Sequence, residues 1–270
     1  MTASVPHAFD EWVTQLEARH LADLRVPEVT RALRALSSAY VERRHKVSAG
    51  ATLDSAGKRA AFALFYAPLH FLATLHVVQA LAATDGSIRS ILDLGCGTGA
   101  AGAAWAVASG GSPSVLGIDR HPWAVDEARW TYRQLHVNGH ARQGDLARTA
   151  MTSRGSAVVA AYTLNELPDT SRAHVEIKLM EAAAAGTRVL VLEPIARAVT
   201  PWWDATSKRI TTAGGRADEW RIPVELPSIL KLLDRAAGLD HRELKLRSLY
   251  IPAGVRRERA SRGPEAAGPR

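Results

Sequence analysis

Ile91-Leu-Asp-Leu-Gly-Cys-Gly-Thr-Gly99 is the stretch with the densest chemistry. An apolar run closes on Asp93, three glycines alternate at 95, 97 and 99, and small residues follow. Glycines in that rhythm let the backbone turn sharply and leave room for a ligand to lie against it. The free N–H groups of such a loop, at the start of a helix, receive a carboxylate or another anion. The next apolar run, Val115-Leu-Gly-Ile-Asp119, ends in an acid 20 residues past Gly99, suited to accept two hydrogen bonds from a ribose diol. Gly144-Asp145 closes a third run with an acid suited to the exocyclic amine of adenine.

Gly95, Gly97 and Ala100 also satisfy the G-x-G-x-x-G/A spacing of dinucleotide sites. Asp93 argues against that ligand, because it puts a carboxylate inside the turn where a pyrophosphate would lie, and like charges repel. A cofactor with a cationic amino-acid end benefits from the same carboxylate. Three acids at three successive strand ends match adenosine, ribose and an amino-acid head, and do not match two phosphates.

A fourth run ends Val159-Ala-Ala-Tyr-Thr-Leu-Asn-Glu-Leu-Pro168. In doubly wound sheets the ligand crevice lies beyond the carboxyl ends of the strands, so Tyr162 to Pro168 should face the reacting group. Asn165 suits holding an acceptor amine or hydroxyl, and Glu166 suits taking a proton or steering a cation. The same residues also suit the next helix, Asn165 as its cap and Glu166 in its first turn.

These segments need a scaffold of alternating elements. Residues 8–47 read as helical, with Trp12, Leu16, Leu33, Leu36 and Tyr40 at three-to-four spacing and Pro27 opening a new helix. A Gly/Ser/Ala-rich joint spans Ser48–Gly57. From Ala60 to Thr84 no residue is charged. That is long enough for a bilayer span, but its polar groups and Pro68 argue for two shorter buried helices and no membrane. Beyond Ser87, β-like runs (Ile88–Leu94, Ser114–Asp119, His140–Gly144, Ala157–Leu164, Arg188–Glu193) alternate with helix-like ones (Gly99–Ser109, Pro122–Val137, Thr170–Ala185). That alternation predicts an α/β fold: a Rossmann-like, doubly wound, mainly parallel sheet with an N-terminal all-helical extension. A helix over Pro201–Gly214, a turn-rich Gly214–Pro227, a helix at Ser228–Ala237 and a strand at Glu243–Ile251 complete it. The expected divisions are a helical cap at 1–85, the α/β unit at 86–252 and a disordered basic tail at 253–270.

Asp93-Leu-Gly-Cys-Gly-Thr-Gly99, Asp119 and Asp145 together resemble the cofactor site of class I S-adenosylmethionine-dependent methyltransferases, over roughly Ser87 to Pro194. The resemblance implies a methyltransferase with S-adenosyl-L-methionine as cofactor. It implies that Asp93 and the Gly95–Gly99 loop border the methionine part, that Asp119 binds the ribose hydroxyls, and that Asp145 with Leu146 flanks adenine. Cys96, Arg120 and Tyr162 complete the cofactor-binding set, and Asn165 and Glu166 are the catalytic candidates. The Asn/Asp-Pro-Pro-Tyr signature of many amino-directed nucleic-acid methyltransferases is absent. The helical preface, Leu164-Asn-Glu-Leu167 and Leu192-Glu-Pro194 also resemble methyltransferase-like proteins associated with small-ribosomal-subunit assembly. Those relatives carry a cysteine cluster for a metal centre, whereas Cys96 is the single cysteine here, so an iron–sulfur role is excluded. The implied acceptor is RNA or another ribosomal component. A small-molecule acceptor is the alternative, and so is a non-catalytic assembly factor that keeps the cofactor pocket.

Composition bounds these readings. Among 270 residues, 34 Lys plus Arg stand against 27 Asp plus Glu, a formal charge of +7, with the tail the most basic part. That tolerates an RNA partner without demanding one. The one cysteine rules out an internal disulfide. The start, MTASVPHAFDEW, lacks a signal-peptide layout, and a cytoplasmic location is expected. Ten histidines show no H-E-x-x-H spacing, so no metal is expected. Cys96 reads as a small loop residue. Arg43-Arg44-His45-Lys46 and Lys58-Arg59 read as solvated helix faces. Trp202, Trp203 and Trp220 suit either a substrate wall or lid, where aromatics stack on a base, or packing against the helical preface; Arg216 and Arg221 would flank such a wall or, paired with Asp218 or Glu219, fix the loop.

Overall fold

The computed structural model describes residues 5–42, 53–111, 113–151 and 155–253. The Arg43–Lys46 cluster, half of the Ser48–Gly57 joint and nearly all of the basic tail lie outside them, as does the Tyr40 side chain.

The helical preface is α1 (Val5–His20), α2 (Val26–Glu42), α3 (Ala56–Ala61) and α4 (Ala67–Ala80). The α/β unit runs β1 (Ser90–Leu94), α5 (Ala100–Ala108), β2 (Ser114–Asp119), α6 (Pro122–Gln134), β3 (Gly139–Gln143), β4 (Ser156–Ala161), α7 (Asp169–Ala184) and β5 (Arg188–Pro194). It closes with α8 (Trp203–Thr212), β6 (Arg216–Pro223), α9 (Ser228–Ala237) and β7 (Glu243–Ile251). The seven strands form one sheet in the order β3-β2-β1-β4-β5-β7-β6. β1 to β5 are parallel, and β7 enters antiparallel between β5 and β6. The Rossmann-like, mainly parallel architecture is as expected.

Both sheet faces are covered, which is why its central strands read as continuous apolar runs. Period-two alternation sends Ala157, Val159, Leu190 and Leu192 into one core, shared with α1, α2, α4, α5, α6 and α9. Val158, Ala160, Val189 and Val191 enter the other, under α7 and α8. The preface therefore shares a core with the sheet, through buried Trp12, Leu16, Leu33, Leu36, Phe65 and Phe71.

The structure corrects several expectations. Pro68 does not split the uncharged run: Ala56–Ala80 is one helix of 25 residues, with a π turn at Phe62–Tyr66 immediately before the proline. There the Ala67 N–H donates to the Phe62 carbonyl, so the wider turn absorbs the ring and the donor that proline lacks. The helix is apolar enough to cross a membrane, yet 67% of its most apolar window is buried inside the protein.

Gly214–Pro227 is not merely turn-rich, because residues 216–223 form edge strand β6. Its residues are mostly exposed and polar, since backbone pairing to β7 defines it and no apolar alternation is required. Trp202 and Trp203 lie in the core under α7 and α8 rather than against the preface. Trp220 does meet the preface, edge-on to His76 of α4, while its Nε1–H donates to Ser248. Arg216 pairs with Asp218, but Arg221 reaches Glu243 across the β6–β7 pair, where the register brings them close.

Candidate active site

A cavity of about 500 Å³ opens beyond the carboxyl ends of β1, β2 and β4 and is roofed by α4. The β1 turn forms its floor. Gly95 sits at φ +64, and a Cβ there would fall 2.4 Å from Thr163 Cγ2, so only glycine fits between the two strand ends. Thr163 crosses over the loop and donates to the Leu94 carbonyl at 3.1 Å.

Of the sequence-proposed residues, Asp93, Gly95, Cys96, Gly97, Asp119, Arg120, Leu146, Tyr162, Asn165 and Glu166 line this cavity. Gly99 and Asp145 do not. Gly99 ends the loop at φ +79 with its Cα face against Tyr132, so it shapes the turn from behind. Asp145 is exposed, and its Oδ1 accepts the Ala147 N–H at 2.9 Å. That carboxylate caps the short 3₁₀ turn 146–148 and leaves Leu146 to face the cavity. Lys178 of α7 holds the same turn by donating to the Ala147 and Thr149 carbonyls.

The two inner carboxylates differ. Asp93 is buried; its Oδ2 accepts the Gly102 N–H at 2.8 Å, and its Oδ1 has no hydrogen-bond partner among the described residues. Burial, with the Asp119 charge nearby, pushes its pKa up to about 7. Asp119 is half-buried and accepts the Gly97 N–H at 2.9 Å and the His121 N–H at 2.8 Å, which ties the β1 and β2 loops together. Cys96 is buried, and burial together with these two acids holds its thiol well above the usual range, so it is a packing residue rather than a nucleophile.

At the end of β4 the chain turns on Tyr162, a non-glycine residue at φ +55, which stops the strand before Leu164. Leu164–Glu166 form their own 3₁₀ turn, and α7 begins only at Asp169, so Asn165 and Glu166 are not the helix cap and first turn. The Glu193 carboxylate accepts the N–H groups of Leu164 and Asn165, at 2.9 and 3.2 Å, and sets this turn in place. Asn165 Oδ1 is buried without a hydrogen-bond partner among the described residues.

Sequence reasoning missed the roof. Phe62, Tyr66 and His70 enter from the π turn and α4, and His241, Glu243 and Lys245 enter from the start of β7. His70 stacks on Tyr162 with ring centroids 4.2 Å apart and planes at 17°. Burial lowers its pKa to about 4, keeping the ring neutral. The signal was present in outline: polar rings at Tyr66 and His70 interrupt an otherwise uncharged run, and such groups need a reason to be there.

These residues fit a nucleoside carrying an amino-acid head. Buried, unpartnered oxygens on Asp93 and Asn165 await donors, and Gly95 and Gly97 of the loop line the same cavity. Among the described residues no group of His, Cys, Asp and Glu is arranged to hold a metal ion.

Residues 91–184 match the profile of a methyltransferase domain. No curated protein matches the chain in sequence. Among solved structures, a candidate O-methyltransferase of Nostoc punctiforme superposes with a TM-score of 0.52 at 16% identity, over 86% of this chain and 71% of that one, and shares the fold. The O-methyltransferase of neocarzinostatin biosynthesis, solved with S-adenosylmethionine and 2-hydroxy-5-methyl naphthoic acid, gives 0.48 at 16% identity over 88% and 73%. A candidate RNA methyltransferase of Pyrococcus horikoshii gives 0.44 at 14% identity over 68% and 80%.

Proposed function

We propose that this protein, whose residues 91–184 match a methyltransferase domain, uses S-adenosylmethionine as methyl donor and that the acceptor is RNA or another ribosomal component. The observation that carries this reading is the ring-walled chamber above the β4 end. Phe62, Tyr66, His70 and Tyr162 line it, a setting in which a nucleobase stacks. The charge supports it: the chain is +7, and Arg120, which lines the cavity, is exposed. A reducing cytoplasm suits the single buried thiol of Cys96.

When bound, S-adenosylmethionine supplies an electrophilic methyl group on a sulfonium centre. Asp93 would face its ammonium group, Asp119 would accept from the ribose hydroxyls, and Leu146 would pack on the adenine. Asn165 Oδ1 accepts from the acceptor and orients it. The α4 roof excludes water, and methyl transfer of this kind gains mainly from alignment and desolvation.

A small planar metabolite is the second reading, favoured by the depth of the chamber beneath α4. Tritium transfer from labelled S-adenosylmethionine into total RNA, compared with transfer into the low-mass fraction of the same extract, separates the two. RNA labelling that falls steeply between 50 and 200 mM salt is expected. Label only in the low-mass fraction replaces RNA with a metabolite. Cofactor binding without transfer to either points to a non-catalytic assembly factor.

A further inference from the structure

The amphipathic helix α9 buries Ile229, Leu230 and Leu233, and on the same buried side it carries a carboxylate, Asp234. Gly238, at φ +76, ends the helix and turns the chain back toward β7. Both Asp234 oxygens are used on one residue of that return: Oδ2 accepts the His241 backbone N–H at 2.9 Å, and Oδ1 lies 2.6 Å from His241 Nδ1. An ionised carboxylate only accepts, so Nδ1 carries the proton and Nε2 is left as the acceptor nitrogen of the ring. The imidazole stands edge-on to Phe65, centroids 5.4 Å apart, which fixes its plane. Its side chain is 33% exposed, and it lines the cavity whose wall also holds Tyr162 and Asn165.

We propose that the Asp234–His241 pair is the general base of the methyl transfer, with His241 the catalytic residue and Asp234 the positioning residue. The inference rests on the methyltransferase reading above. A turn held shut needs only one carboxylate oxygen on the backbone N–H; the second oxygen on the ring builds the base-and-orienter arrangement of general-base sites. Glu243 and His70 suit the task less well. Glu243 is paired with Lys245 at 3.0 Å and Arg221 at 3.2 Å, which hold its carboxyl below the ordinary range. His70 is stacked, and burial makes it a weak base.

The pair defines the acceptor as a group that must lose a proton when methylated, an O–H or N–H. In the step, the acceptor oxygen or nitrogen forms its bond to the methyl carbon while the carbon–sulfur bond breaks and its electron pair stays on sulfur. The acceptor proton passes to His241 Nε2, giving an imidazolium that Asp234 stabilises, and then to solvent.

The test begins with side-chain ¹⁵N NMR on the full chain without acceptor. His241 protonated at Nδ1, with that signal displaced in Asp234→Asn, is expected; a ring protonated at Nε2, or an unchanged signal in the variant, overturns the proposal. Single-turnover tritium transfer into total RNA and into the low-mass extract fraction follows. His241→Gln should lose about 10²- to 10⁴-fold in rate at saturating acceptor, with S-adenosylhomocysteine affinity unchanged. Asp234→Asn, which keeps an oxygen for the backbone N–H, should lose rate rather than acceptor affinity, and Asp234→Glu should restore part of it. Wild-type transfer with full activity in folded His241→Gln overturns the pair and leaves the methyltransferase reading intact. Absence of transfer by the wild type overturns both.

Discussion

The carboxylate of Glu193, near the end of β5, accepts the backbone N–H of Asn165 at 3.2 Å, and Leu164 donates to the same oxygen at 2.9 Å. A buried acid on one strand thus shapes the active-site turn that leaves its neighbour. Glu193→Ala would strand two buried donors, each costing about 1–3 kcal/mol. Urea denaturation should show a loss in that range or above it, and Glu193→Gln, which keeps an acceptor oxygen, should lose less.

The Gly95–Thr163 approach is testable in the same way. Gly95→Ala places a methyl group 2.4 Å from Thr163 Cγ2 at φ +64, and should cost about 1–3 kcal/mol of stability and most cofactor affinity. Adding Thr163→Ala removes the steric part but not the backbone strain. Partial recovery of stability in the double variant is expected; none would place the strain elsewhere.

Asp119→Ala should weaken S-adenosylmethionine binding. Hydrogen bonds to a charged group are worth about 1.5–3 kcal/mol, or roughly tenfold or more in Kd. Isothermal titration reads this directly. Asp119 also holds the Gly97 and His121 N–H groups, so Asp119→Asn should retain more affinity than the alanine variant. Equal affinity in wild type and Asp119→Ala would remove Asp119 from the site.

Asp93 predicts a pH dependence of both stability and binding. Its folded pKa is raised from 3.8 to about 7, so the stability it contributes is full below 3.8 and is lost as pH rises to about 7. A cationic ligand end prefers the ionised form, so cofactor affinity should fall about tenfold per pH unit below 7, with one proton released on binding. Titrations in buffers of different ionisation enthalpy count that proton. Asp93→Asn should abolish its release, and a flat pH profile in the wild type would refute the assignment.

His70 has the opposite sign. Its pKa is lowered from 6.5 to about 4, so between these values the unfolded chain binds the extra proton and the folded protein loses stability as pH falls. His70→Phe keeps a ring against Tyr162 and should flatten the profile over that window, as measured by thermal unfolding from pH 4 to pH 7. An unchanged acid slope in the variant would assign the sensitivity to another group.

Much of this protein is written locally. The apolar runs ending in Asp93 and Asp119, the glycine rhythm between 95 and 99 and the helix-length intervals specify a parallel sheet and a ligand loop, because strand burial and turn geometry depend on neighbours in the chain. Long-range packing decided the remainder. β6 exists because β7 offers it a ladder, and its polar residues carry no signal of their own. The 56–80 helix runs through Pro68 because a π turn, buried against α1 and α9, absorbs the missing donor. His70 and His241 lie 171 positions apart in the chain, and only folding brings both onto one cavity wall. Periodicity reports which face of an element is buried; it does not report which other element lies on that face. The glycine loop and the turn after β4 were therefore legible from residue order, while the cavity wall that α4 and the start of β7 supply was not.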